Sequence, residues 1–403
     1  MATIRRYYEH PTLSELDSVV TGIRERADGS CAVTLSETIF YPEGGGQPCD
    51  LGTLAGLPLE AVLEEDDEVA HILSVGPAAL AAAGVSPAAA VRSIVDLGRR
   101  IDHSEQHSAQ HLLSSVLLRA MGARTLSFHL GERHSFIDLD IAPFGRDDAD
   151  AIEDEVTRIA LGDYRVTTHL CPPEDPASFP LRKEPSVEAE VLRVIEIDGI
   201  EYSACCGTHV ASTRALEPFR ILKVEKYKGG CRVYFVAGGR ARADYRRVAG
   251  IAARAASAAG CADDELEAAV RSCRERQKEL ERSLAAALDE VAAARAEALD
   301  APGGEDASRV GTVFAAADGY DAGNRLARAL ARRGRVAVVD CGDDLKAVAC
   351  SPSVGPAVDA AYGPAAMAAG GKGGGGKAYF QAAFPDRASL DAFLAAARGA
   401  SAS

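Results

Sequence analysis

The stretch RIDHSEQHSAQHLL, residues 100–113, decides how this chain reads. Its apolar residues continue through Val116 and Leu117 with a helical period, which predicts a helix over His103–Met121. On a helix His107 and His111 lie one turn apart on one face, so both rings can reach a single metal ion. Far along the chain, Cys205-Cys-Gly-Thr-His209 repeats that four-residue spacing. The Gly-Thr pair inside it predicts a turn able to wrap a metal. Together His107, His111, Cys205 and His209 offer three imidazoles and a thiolate, a donor set that suits zinc. Two alternatives stay open at this point. Cys206 competes with Cys205, and His103, four residues before His107, permits a shifted pair.

The remaining composition bounds the answer. The chain has 403 residues, 47% hydrophobic and 26% charged, which describes a folded protein too long for one core. No apolar run approaches the ~20 residues of a membrane span. MATIRRYYEH at the start carries no apolar signal segment. A cytoplasmic protein without a membrane partner is the expectation. Ten cysteines in no regular framework fit a reduced interior. A net charge of −15 argues against nonspecific nucleic-acid binding while leaving room for a local basic face.

The expected fold class is α+β, in four parts. Residues 1–95 read as a small β-barrel of short strands, such as Val19–Ile23 and Cys31–Leu35. Residues 96–240 read as an α+β metal-binding domain, with a helix over Asp147–Leu161 and strands near His134–Leu139, Val191–Ile197 and Phe219–Val236. Residues 241–300 are Ala-, Arg-, Glu- and Leu-rich and helical. Between Leu266 and Ala298 an apolar stripe steps by four and three, the period of a coiled-coil seam. Either residues 241–258 or a second copy of the chain supplies its partner, and the second case is a homodimer. Ala301-Pro-Gly-Gly is a break. Residues 301–403 alternate strand and helix signals, with strands at Val336–Asp340 and Ala347–Ser351 and helices at Asn324–Arg333 and Asp386–Ala397, as in a small α/β domain.

Two glycine-rich segments add chemistry. In Glu43-Gly-Gly-Gly-Gln47 the glycines let the backbone approach a ligand closely, and Gln47 presents an amide that donates and accepts. The bland alternative is a turn with an exposed glutamine. In Gly370-Gly-Lys-Gly-Gly-Gly-Gly-Lys377 the pattern falls short of a phosphate-binding P-loop, because Ala378 stands where Ser or Thr would hold Mg²⁺. Lys372 and Lys377, with backbone amides, can cradle an RNA phosphate. The bland alternative is a flexible loop.

RIDHSEQHSAQHLL, FYPEGGGQ and CCGTH resemble the editing domain of alanyl-tRNA synthetases and the free-standing alanyl-tRNA editing proteins, the AlaX family. GGKGGGGKAYFQAA is similar to the glycine-rich signature of the DHHA1 domain at the C-terminus of those synthetases. The motifs follow the family's order, and their combination is specific where each alone is not. The resemblance is to the long AlaX form. It implies a β-barrel, a zinc editing domain, a helical segment and a DHHA1-like domain. It also implies hydrolysis of tRNA(Ala) wrongly charged with serine, and in addition with glycine, at a Zn²⁺ site formed by His107, His111, Cys205 and His209. Gln47 falls on the family's editing-site glutamine. One departure is Gly376-Lys377-Ala378, where the family usually has Arg-Pro-Asp, and it puts RNA contact through this loop in question.

On that resemblance the substrate is an ester between an amino acid and the terminal ribose. Gln47 positions water or ester, the Gly45 and Gly46 amides face the developing oxyanion, and Thr38 bonds the serine hydroxyl. Two rivals remain: an editing protein of the threonyl-tRNA type, and a zinc-stabilised tRNA-binding module without catalysis.

Overall fold

The computed structural model describes residues 3–65, 68–171, 179–182, 192–300 and 311–401. The break expected at residues 301–304 and the first residue of the strand expected at 191 lie outside them. The chain divides into two compact units, residues 1–253 and 254–403.

The first unit opens with β1 (Ile4–Arg5), β2 (Glu15–Glu25), β3 (Cys31–Leu35), β4 (Glu37–Thr38), β5 (Gly52–Leu54), β6 (Leu57–Pro58), β7 (Ala61–Glu65) and β8 (Glu68–Leu73). A short helix α1 (Pro77–Ala82) and strand β9 (Ala90–Val95) follow. Seven of these strands form one sheet in the order β6-β5-β9-β2-β3-β8-β7. β2 joins its two halves, pairing with β9 through its first residues and with β3 through its last, with a register break between Val20 and Gly22. The break bends the sheet around one core that takes Val20, Val33, Leu35, Leu54, Val62, Leu73, Val91 and Val95. The expected small barrel is therefore a half-barrel that curls without closing. Its outer strands β6 and β7 do not pair, and β6 is two residues long and ends in Pro58, which has no amide to extend a ladder.

Buried in this sheet, His71 donates through Nδ1 to the Val33 carbonyl (2.9 Å) and accepts through Nε2 from the Thr38 hydroxyl (2.8 Å). Burial pushes its pKa down to about 4 from the ordinary 6.5. Between those values the unfolded chain holds the proton more tightly, so acid favours unfolding. The stabilisation is complete above about pH 6.5 and is lost as the pH falls toward 4, an effect of roughly 3 kcal/mol. Unfolding curves of the wild type should weaken across that window, and those of His71→Gln should weaken less. Equal pH slopes would overturn the assignment.

The long helix α2 (Leu97–Met121) comes next. It starts on Asp96, whose side chain accepts from the Arg99 amide, and stops at Gly122 with φ +68°. From His103 to Leu117 every residue is buried. Most of its polar side chains are paired: Gln106 exchanges two hydrogen bonds with the Ala237 backbone, and Ser104 donates to Thr208. Around α2 stand β10 (Thr125–Leu130), β11 (Ser135–Leu139), α3 (Arg146–Leu161), β12 (Val166–Cys171), β13 (Leu192–Ile197), β14 (Glu201–Ala204), β15 (Phe219–Tyr227) and β16 (Gly230–Ala237). They make a three-stranded sheet, β12-β13-β14, and a four-stranded one, β10-β11-β16-β15. Their core takes Leu112, Leu113, Val116, Ile152, Val156, Ile197, Ile221, Val233 and Phe235. Helix α4 (Gly238–Ala259) begins against α2, where Gly239 donates to Glu105 and Arg240 pairs with both oxygens of Asp102.

The second unit holds α5 (Leu266–Asp300), β17 (Thr312–Ala316), α6 (Tyr320–Arg332), β18 (Val336–Asp340), β19 (Lys346–Cys350), α7 (Val358–Ala368), β20 (Lys372–Gly376), β21 (Tyr379–Ala383) and α8 (Arg387–Ser401). The sheet order is β17-β18-β19-β21-β20, parallel only between β17 and β18, which α6 connects. Helix α5 does not bury its apolar stripe within the second unit. Val270, Leu280, Leu284 and Val291 of the stripe are exposed, at 47–63%. The face that packs is set by Ala292 and Ala296, which join Leu326, Ala327 and Leu330 of α6. Alanines let two helix backbones approach closely, so they and not the larger stripe residues select the contact. The glycine run expected as a loop is also different: it is the exposed edge strand β20, in register with β21.

Candidate metal centre and its glutamine

Four donor atoms meet between α2 and the loop that follows β14. His107, His111, Cys205 and His209 each offer one, and all lie within 4.8 Å of one another. Helix α2 supplies the first two at its i,i+4 spacing. The loop after β14 supplies the others. Arg193, buried on β13, holds that loop by donating to the carbonyls of Cys205 and Gly207, both at 2.8 Å. Gly207 is required by close approach: a Cβ there would lie 2.2 Å from the His107 ring and 2.9 Å from Gln47 Oε1. Neither His103 nor Cys206 joins the cluster, and Cys206 is exposed.

The hydrogen bonds assign the tautomers. His107 Nδ1 donates to Gln47 Oε1 (2.7 Å), which leaves its Nε2 lone pair 3.4 Å from Cys205 Sγ. His209 Nδ1 donates to Ser108 Oγ (3.0 Å), itself an acceptor from the Val210 amide, and leaves Nε2 at 3.4 Å from the same sulfur. His111 Nδ1 has no hydrogen-bond partner and sits 3.7 Å from Glu201 Oε1. Outer partners of this kind orient imidazoles toward a metal.

Electrostatics favour neutral imidazoles. Burial, helped by the Arg193 charge, pushes His107 down to about 3. Burial and the neighbouring rings hold His111 and His209 well below the usual range. Burial pushes the Cys205 thiol up to about 11. Three buried lone pairs and a thiol that ionises only beside positive charge fit a divalent cation, and the N₃S donor chemistry is consistent with zinc.

Gln47 enters from the half-barrel. Gly44 and Gln47 exchange backbone bonds (3.1 and 2.9 Å) around Gly45 and Gly46, whose φ angles are +58° and +83°. This two-residue hairpin turn needs positive φ at both centres, hence glycine. A Cβ on Gly46 would also strike the Phe128 carbonyl at 2.6 Å. The turn uses the Gly44 and Gln47 amides, and those of Gly45 and Gly46 have no partner among the described residues. Gln47 itself is buried, contrary to an exposed turn glutamine. Its Oε1 accepts from His107 and from the Thr208 amide (3.2 Å), and its Nε2 donates to Thr208 Oγ1 (3.0 Å).

Other expected residues stand apart from this network. Thr38 is fully buried, with its hydroxyl proton given to His71 and one lone pair taken by the Phe40 amide (3.1 Å). Lys372 and Lys377 are exposed at β20 and its turn, in the second unit. Sequence reading missed Thr208, Ser108 and Arg193. Thr208 lay inside a quoted motif as a mere turn residue, whereas Arg193 carries no local signal.

Residues 192–234 match the family described as the threonyl and alanyl tRNA synthetase second additional domain. An alanyl-tRNA editing protein Aarsd1 from Danio rerio is 34% identical over 230 residues, 56% of this chain and 54% of that protein. The alanyl-tRNA editing protein AlaX-L from Pyrococcus horikoshii is 31% identical over 244 residues, 59% of this chain and 58% of that protein. The chain is similar to the AlaX-type alanyl-tRNA editing proteins. An alanine–tRNA ligase from Methanothrix thermoacetophila is 32% identical over 243 residues, 59% of this chain and 26% of that enzyme. The AlaX-type likeness thus spans little more than half the length of the curated editing proteins it matches. No helix among the described residues is long and apolar enough to cross a membrane.

Proposed function

We propose that this AlaX-type chain is a hydrolase that removes the wrong amino acid from tRNA(Ala), chiefly serine and secondarily glycine. The observation that carries the reading is the bond from His107 to Gln47, which ties a buried four-donor metal cluster to a glycine-rich turn. Relatives named for alanyl-tRNA editing support it.

Zinc held by His107, His111, Cys205 and His209 would supply fixed positive charge that shapes the pocket and orients the aminoacyl group, since four protein donors close its coordination. Gln47 cannot act as a base, because a neutral carboxamide takes up no proton near neutral pH, and its Oε1 already accepts two hydrogen bonds. Its remaining Nε2 hydrogen can only donate, to the ester carbonyl or to the attacking water. Gln47 also keeps His107 in the tautomer that leaves Nε2 bare. The Gly45 and Gly46 amides beside it, without a partner among the described residues, are suited to developing negative charge. Thr38 retains one lone pair, so a serine hydroxyl reaching it must be the donor. A site that pairs this hydroxyl rejects alanine, which would leave it unpaired. Lys372 and Lys377 flank an exposed glycine strand where RNA phosphate can approach. The uncovered stripe on α5 is the surface for a second copy of the chain.

The purified chain should be incubated with Ser-tRNA(Ala), Gly-tRNA(Ala), Ala-tRNA(Ala) and Ser-tRNA(Thr). The expected order is serine first, glycine second, and at least tenfold slower loss of alanine. Preference for Ser-tRNA(Thr) would move the reading to the threonyl type. The closed donor set favours one other reading, a tRNA-binding module, which would bind tRNA(Ala) and leave every ester intact.

A further inference from the structure

We propose that the outer face of the sheet β10-β11-β16-β15 is a stacking platform for single-stranded RNA, the unpaired 3′ end of the tRNA that carries the ester. This rests on the tRNA-editing reading above.

The sheet's two faces differ as period-two alternation demands. Ile137, Leu139, Ile221, Val233 and Phe235 point into the core with α2 and α3. The opposite face would ordinarily carry small polar side chains. Instead it carries rings and cations in register. His129 pairs with Phe136, Phe136 with Tyr234, and Tyr234 with Lys223, one row across all four strands. Ring centroids lie 4.9 Å apart for His129–Phe136 and 5.6 Å for Phe136–Tyr234, and Lys223 Nζ sits 5.9 Å from the Tyr234 ring. In the next row the Arg232 guanidinium lies 3.8 Å from the centroids of both Phe136 and Tyr227. Lys228 is 5.2 Å from Tyr227.

Asp138 bonds Arg232 at 2.6 and 3.0 Å, and Glu225 accepts from the Tyr234 hydroxyl at 2.8 Å. These carboxylates hold the cations and the ring in place. Lys223, Lys228 and Arg232 still outnumber them, on a chain whose net charge is −15. Aromatic and guanidinium planes interleaved with cations suit exposed nucleobases and their phosphates. An A-form duplex hides its base faces, so the occupant is single-stranded. A protein partner would call for a more continuous apolar face than rings alternating with charges.

Position strengthens the assignment. β10 is the edge strand, and it separates the platform from the metal cluster by one residue. Phe128, facing inward, has its ring 5.2 Å from His107, and Leu130 donates to the Gly46 carbonyl at 3.0 Å. His129, between them, faces the platform. A strand of RNA stacked on Phe136 and Tyr234 and turning over this edge arrives at Gln47 and the donor cluster.

The test is the double variant Phe136→Leu/Tyr234→Leu, which keeps apolar bulk and removes the ring faces. The probe is a fluorescein-labelled single-stranded RNA ending in CCA, read by anisotropy, alongside Ser-tRNA(Ala) deacylation kinetics. Oligonucleotide binding should weaken about tenfold or more, since stacking contributes ~1–3 kcal/mol per base. KM should rise in step with kcat nearly unchanged, and Phe136→Tyr should retain binding. If the double variant does not fold, Lys223→Glu/Lys228→Glu should lower the salt dependence of binding. Unchanged oligonucleotide affinity and KM in a folded variant, or an unchanged salt slope in the charge variant, overturns the platform and leaves the editing reading intact. Loss of oligonucleotide binding beside a wild type that deacylates nothing keeps the platform and removes the editing reading.

Discussion

Cys205→Ala should leave the chain without bound zinc and without deacylase activity. The thiolate is the one anionic donor in the cluster, and its removal leaves three buried imidazoles where positive charge is disfavoured. Losing an outer hydrogen-bond partner of a ligand typically weakens metal binding by ~10–100-fold. Losing a ligand itself should exceed that, and structural zinc contributes ~10–16 kcal/mol of binding to small domains. Metal analysis of the purified wild type should return about one zinc per chain, and of the variant a small fraction of that. Gln47→Ala makes the informative companion. It removes the partner of His107 Nδ1 and the Thr208 bonds, yet touches no donor atom. It should retain zinc with lower affinity and lose ~10²–10³-fold in kcat, the scale of one well-placed donor. Full deacylation by metal-free Cys205→Ala would end the role assigned to the metal.

Arg100→Met should lower stability by about 3–5 kcal/mol, the cost of leaving one charge of a buried pair uncompensated. Arg100 and Asp50 are both essentially buried, at 1% and 0%. Arg100 Nε reaches both Asp50 oxygens at 3.0 Å, and its Nη atoms donate to the Pro11 (2.7 Å) and Ile39 (2.6 Å) carbonyls. Asp50 also accepts from the Tyr41 amide at 2.6 Å. This pair fastens the first turns of α2 to the half-barrel, three residues beyond Gln47. The melting temperature should drop by roughly 10 °C, and deacylation should fall with it as Gln47 loses its place against His107. The double variant Arg100→Met/Asp50→Leu should recover much of the stability, because it buries no lone charge. A single variant within 1 kcal/mol of wild type in denaturant unfolding would show that the pair does not hold the two parts together.

These results separate what local pattern carries from what packing decides. The helix through His107 and His111 was readable because an i,i+4 spacing and an apolar period are local properties of a helix. What the period concealed is that α2 is buried on nearly all sides. Its serines and glutamines are paired with the backbone and with side chains of distant strands, as Gln106 is with Ala237, 131 residues away. The stripe on α5 was equally legible, and it is exposed. A 3.5-residue period marks an apolar face but does not say what covers it, and the small Ala292 and Ala296 form the closer contact.

By itself the sequence determined the chemistry available to this protein: three imidazoles, a thiolate and a glycine-flanked amide, with the secondary structure that carries them. Only the tertiary structure decided how they are joined. It bonded Gln47 to His107 across 60 residues and to Thr208 across 161, and set His103, Cys206 and Thr38 outside that network. It also put Phe136 and Tyr234 side by side on an open sheet face. The reason is physical. Donor identity and helical spacing are encoded residue by residue, whereas the meeting of two cores depends on long-range packing and register, for which no short segment holds the pattern.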